Sequence, residues 1–181
     1  MTILSRLFAR PIAPLRATQE FLLKLDASAP EMRRVYLLSK DLEANPGQVE
    51  RARALTLNRS KPRLGLRGVH GLFASDEWWN SINTGKMRLR FVSGIVAEAY
   101  EAGQDRTGVN NAVTVKLDDA STTSVGIYTN DPRDVRLFRT GSKVSIVYAQ
   151  DELKDQPAPD GDVNYAEIAL EMLVGAATNA A

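Results

Sequence analysis

The sequence contains no cysteine. That absence excludes disulfides, thiolate metal sites and thiol nucleophiles in one step. It also fits a reducing compartment, so a cytoplasmic protein is expected. Histidine is scarce: His70 stands alone. A Ser–His–Asp triad would have to use it. It lies between Val69 and Gly71 on a glycine-broken stretch, with neither a nucleophile elbow nor a metal-ligand spacing around it. A histidine so placed is more often structural than catalytic. No apolar run reaches about 18 residues, so no transmembrane helix is expected. Neither a P-loop nor a G-x-G-x-x-G following a strand occurs.

Acidic residues are missing from the start, the first being Glu20. Ser5, Arg6 and Arg10 interrupt what would have to be the apolar region of a secretory signal. An acid-free, Arg-containing start also suits a transit peptide or a membrane-surface helix. Leu4, Leu7 and Phe8 beside Arg6 and Arg10 offer such a peripheral membrane contact within residues 1–16. The reading preferred here is a flexible basic arm, as termini commonly are.

What is present is an ordinary soluble composition: 181 residues, 44% hydrophobic and 25% charged. The net charge of +1 is unevenly spread. Up to Lys61 there are 11 Lys/Arg against 6 Asp/Glu, and from Pro62 onward 12 against 16. A basic front thus precedes an acidic remainder. That distribution disfavours a phosphate track on the acidic part.

Along the chain, Pro11 and Pro14 break any continuous helix in residues 1–16. Residues 17–61 read as a helical N-terminal segment. Thr18–Leu25 is a short helix with Phe21, Leu22 and Leu25 on one side. Ser28, Pro30 and Glu31 form a helix start with a capping box. Val35, Leu38 and Leu42 follow at helical spacing, and Asn45-Pro46-Gly47 ends that helix. Gln48–Leu57 is a third helix. Residues 62–86 form a connection that holds a short helix capped by Ser75, with Asp76 and Glu77 in its first turn. Trp78 and Ile82 share its inner face; adjacent Trp79 points elsewhere and is expected to be more exposed.

Residues 87–174 carry strand-like alternation. Met87, Leu89 and Phe91 alternate with Arg88 and Arg90, and the strand runs on through Gly94 to Tyr100. A central glycine suits a sharply bent strand that pairs on both sides. Val113–Leu117, Val125–Ile127, Val144–Tyr148 and Ile168–Val174 continue the alternation, with a helix after Asp131-Pro132 between the third and fourth strands. Residues 175–181 are a frayed tail. The element order, strand-strand-strand-helix-strand-strand with a long kinked first strand, resembles the OB-fold. The expected fold is therefore α+β: a small five-stranded OB-like barrel preceded by an α-helical N-terminal segment.

Chemistry is thin. Asp76/Glu77, Asp118/Asp119 and Asp151/Glu152 are adjacent pairs, whereas glycosidase-type catalysis needs two carboxylates facing each other across about 5–10 Å. Nothing in the sequence marks any of them as buried. Asp160, Asp162 and Asn164 occupy calcium-loop positions, with Glu171 twelfth, but Tyr165 stands where the turn needs glycine. No cofactor and no metal are expected. The preferred function is a non-enzymatic binding module whose partner is another protein or a second copy, with Trp79, Tyr100 and Tyr128 as contact residues. The first alternative is single-stranded nucleic-acid binding through Arg51, Arg53, Arg59, Lys61, Arg63, Arg67, Arg88 and Arg90. The second is an enzyme using the carboxylates or His70.

Overall fold

Chain order and hydrogen bonding define one antiparallel sheet with a few helices. The computed structural model describes residues 21–25, 32–104, 107–157 and 160–177. The elements are β1 (Arg33–Leu37), α1 (Leu38–Ala44), α2 (Pro46–Leu57), α3 (Asp76–Asn83), β2 (Arg88–Tyr100), β3 (Ala112–Lys116) and β4 (Thr122–Gly126). A 3-10 helix (Pro132–Leu137) precedes β5 (Ser142–Pro157) and β6 (Val163–Ala177). The six strands lie in the order β1-β6-β5-β2-β3-β4, every neighbour antiparallel.

This corrects the five-stranded OB-like barrel. β1 and β4 are edges, and no ladder joins them. The two ends of the sheet meet only through the residues after β4. The Asn130 amide donates to the Val35 carbonyl at 2.8 Å. The Asn130 side chain accepts from the Leu37 amide and donates to the Leu37 carbonyl. The Asn130 clamp, with the Arg33–Asp134 ion pair and the Tyr36–Tyr128 ring contact, thus stands where barrel closure would need a row of backbone bonds.

The helical N-terminal segment is corrected as well. Residues 33–37, expected inside a helix, form an edge strand on β6. Tyr36 pairs with Met172 and, with Val35, is buried. Burial against an existing strand outweighs a helical spacing that only α1 realises, with Leu38 and Leu42 inward. Pro46 opens α2, which matches the third expected helix. Residues 21–25 of the expected 18–25 helix are not helical. The rest of that helix, the 1–16 arm, the capping box at Ser28–Glu31 and residues 178–181 lie outside the described residues. After β4, the turn starting at Pro132 is 3-10 rather than α, and the Asp131 carboxylate caps it by accepting from the Arg133 amide.

The long glycine-bearing strand behaves as its sequence implies. β2 pairs with β5 through Arg88–Ile95 and with β3 through Ile95–Tyr100, with a bulge between Val96 and Glu98. A Cβ at Gly94 would stand 2.2 Å from the Lys116 carbonyl oxygen, so only glycine admits this approach.

Alternation assigns the two faces. The core face carries Val92 and Val96 of β2, Val113 and Val115 of β3, Val144 and Ile146 of β5, and Met172 and Val174 of β6, all buried. The second face carries Phe91, Ser93 and Ile95 of β2, Val147, Ala149 and Asp151 of β5, and Glu171 and Leu173 of β6, as the pairings Phe91–Val147 and Val147–Glu171 require. Its β5–β6 half is covered. The Leu22 and Leu23 amides donate to the two carboxylate oxygens of Glu171, at 2.8 and 3.1 Å. Trp78 of α3 reaches Asp151 farther along. Its β2–β3 half is open.

Candidate functional site

Tyr100 ends β2 and Tyr128 follows β4, and the antiparallel meander brings both to one end of the open half-sheet. They line a shallow depression of about 400 Å³ together with Asn111, Ser124, Gly126 and Ile127. The Tyr100 hydroxyl donates to Ser124 Oγ at 3.0 Å, which fixes its ring across the β3–β4 pair. Gly126 leaves room for the other ring: a Cβ there would lie 3.0 Å from Tyr128 Cε2. The loop above is held by Asn111, whose side chain donates to the Ala102 carbonyl and accepts from the Ala102 amide. Glu101 braces the same loop through the Thr107 and Gly108 amides, and these bonds hold its carboxyl below the usual range.

Tyr128 also belongs to an aromatic row, its ring 5.5 Å from Tyr36 and 6.4 Å from Tyr148. Burial pushes all three hydroxyls to weaker acidity, with Asp41 adding at Tyr36, Glu167 at Tyr128 and Tyr128 at Tyr148. These phenols are therefore neutral hydrogen-bonding groups at any physiological pH. Among the described residues, β4 pairs with β3 alone and its other edge carries no ladder. An open edge and half-buried tyrosines together suit contact with another polypeptide.

Trp79 is not part of this place. It is only 9% exposed, its ring 4.8 Å from that of Trp78 in an edge-to-face pair. Both tryptophans of α3 are buried: Trp78 packs on Phe73 and reaches Asp151, and Trp79 packs edge-to-face on Trp78. The expectation of an exposed Trp79 is corrected accordingly. Ser75 caps α3 as expected, accepting from the Trp78 amide.

The basic residues scatter. Arg53 donates to the Phe73 carbonyl, Arg67 pairs with Glu152, and Arg90 pairs with Glu167 at 2.9 Å. Arg51, Arg59, Lys61, Arg63 and Arg88 are exposed on α2, the following connection and the start of β2. The eight do not converge on one groove.

Among the carboxylates, Asp151 is fully buried, although nothing in the sequence marks it so. Its Oδ2 accepts from Trp78 Nε1 at 2.8 Å, while Oδ1 has no partner among the described residues. Burial raises its pKa, opposed by the Trp78 bond and by nearby His70. Glu171, which falls at the twelfth calcium-loop position, is also fully buried and pairs with Arg34 at 3.4 Å. Alternation in β6 could not signal this, because both faces of that strand are covered. Asp160 and Asp162 in the β5–β6 turn and Asn164 at the start of β6 instead accept from nearby amides. Among the described residues, no three metal-binding side chains converge.

A family model described as Immunity protein RhsI2 matches residues 32–175, from just before β1 to nearly the end of β6. Among curated proteins, no match is found.

Proposed function

The chain belongs to the RhsI2 immunity protein family, and from that premise we propose that it protects against a toxin protein by binding it, with no catalysis of its own. The family match over the whole sheet is the observation that carries this reading. The site supports it. Tyr100 and Tyr128 present half-buried rings at a shallow depression, and next to them β4 offers an edge that no described strand pairs. Aromatic side chains of this kind are favoured anchors in protein interfaces, because they bury much area at little entropic cost.

Co-expression tests the proposal. Toxin candidates encoded beside the gene would be produced in a sensitive host with and without this chain. Rescue of growth, together with a stoichiometric complex of the purified pair, is the expected outcome. Failure to rescue from any of them, with no complex formed, overturns it. Tyr100→Ala with Tyr128→Ala is expected to weaken the complex by about tenfold or more.

A further inference from the structure

The open half of the second face has a composition of its own. Phe91 is 57% exposed and Ile95 39% exposed, two turns of the pleat apart on β2. Between them Ser93 shares a hydrogen bond with Ser145 at 2.8 Å, so the polar groups between the two apolar side chains satisfy each other. Ile95 pairs in register with Lys116 of β3 on one side and with Lys143 of β5 on the other. Register partners point to the same face, so both amines rise beside Ile95, roughly 10 Å apart at their Cβ atoms. Both lysines are exposed, and neither forms an ion pair with a described residue. The nearest acid along β2 on this face is Glu98, beyond the bulge toward Tyr100.

The covered half of the same face shows how such a surface is used. There the chain's own segment 21–25 lies over Glu171, and Val147, the register neighbour of Phe91, is completely buried. One apolar sheet face is thus capped on β5–β6 and left bare on β2–β3.

We propose that Phe91 and Ile95, flanked by Lys116 and Lys143, form a docking surface for a segment of the toxin that carries carboxylates around an apolar side chain. This inference rests on the immunity reading and gives it a footprint: contact runs from the tyrosine depression along β2 to the lysine pair. Charge complementarity argues for the acidic occupant. Two amines that pair with no described residue bracket an exposed apolar side chain, and a carboxylate brought between them meets both without stripping either from a described partner. The apolar side chains supply affinity, and the amines supply register and association rate.

The test uses the full chain and the toxin that it neutralises in co-expression, with affinity measured by titration calorimetry at low and high salt. Lys116→Glu with Lys143→Glu, and separately Phe91→Ala with Ile95→Ala, are each expected to weaken binding by about tenfold or more. The wild-type affinity is expected to fall with salt, and that of the lysine variant to lose this dependence. Circular dichroism checks that each variant folds. Full affinity in both folded variants overturns the docking surface while leaving toxin binding intact. Absence of binding by the wild type overturns the immunity reading itself. A gel shift of single-stranded DNA by the wild type that the lysine variant abolishes, with toxin affinity unchanged, assigns the amines to nucleic acid and also overturns the proposal.

Discussion

Arg34 and Glu171 stand on adjacent strands with Nε 3.4 Å from Oε2, and the carboxylate is wholly buried. Arg34 also donates to the Leu23 carbonyl and stacks its guanidinium 3.7 Å from the Phe21 ring centre. The pair therefore does two jobs: it neutralises a charge under the sheet, and it holds segment 21–25 in place. Removing one partner strands the other. Glu171→Gln is expected to cost about 3–5 kcal/mol. Replacing both, as Arg34→Met with Glu171→Leu, is expected to recover only part of that loss: no orphan charge remains, but the Leu22 and Leu23 amides lose their acceptor. Urea unfolding measures the energies. Trypsin cleavage after Lys24 should speed up in the single variant.

Asp151 gives a pH signature. Its folded pKa is raised, chiefly by burial, above the 3.8 of an ordinary aspartate. Between those two values the folded state binds more protons than the unfolded state. Stability due to this group is therefore full below about pH 3.8 and declines as pH rises through the folded value. Asp151→Asn keeps an acceptor for Trp78 and has no charge to bury. At neutral pH it should melt higher than the wild type, by about 1 kcal/mol of added stability. The advantage should shrink as pH is lowered toward 4, and a melting series across pH reads it directly. A constant difference at all pH values would contradict this account.

Gly94 permits the crossing of β2 onto β3. Alanine there would drive a methyl against the Lys116 carbonyl at 2.2 Å and Val115 Cγ1 at 2.8 Å. Backbone cannot yield as a flexible side chain does, so Gly94→Ala should destabilise by about 3 kcal/mol. Gly85, with open space around its Cβ position, is the contrast. At its φ of +70° alanine costs only backbone strain, about 1 kcal/mol. Paired denaturation curves compare the two.

Trp79 separates packing from binding. Its ring is buried, yet its indole N–H has no partner among the described residues. Trp79→Ala should cost about 3–5 kcal/mol. Trp79→Phe should cost much less, since it keeps an aromatic ring and removes the orphan donor. Toxin affinity in the folded Trp79→Phe protein should equal that of the wild type.

Much of the strand content was legible, because alternation reports which residues share a face. Met87–Tyr100, Val113–Leu117, Val125–Ile127, Val144–Tyr148 and Ile168–Val174 all fall in or beside strands. Alternation does not report which strand lies next to which. The order β1-β6-β5-β2-β3-β4 rests on long-range pairing, so the barrel reading failed there. β1 was hidden for a different reason: Val35, Leu38 and Leu42 fit a helix, and only contact with Met172 makes Tyr36 a strand residue. At the site, Tyr100 and Tyr128 were singled out from their places at strand ends. That they line one depression depends on β3 and β4 folding back between them. The lysine pair was not legible at all, since Lys116 and Lys143 meet only across Ile95.

The β5–β6 hairpin outgrows the sheet. From Glu152 outward its flank is held, among the described residues, by the Arg67–Glu152 ion pair and the bridge between Leu66 and Leu153, braced by Lys154, whose amine reaches the Leu55 and Asn58 carbonyls at the end of α2. Inward, Val144–Ala149 is laced on both sides, to β2 and to β6. A ribbon so anchored opens from its tip. In deuterated water the amides beyond Glu152 should exchange through small local excursions, while those of Val144–Ala149 wait for the whole molecule to come apart.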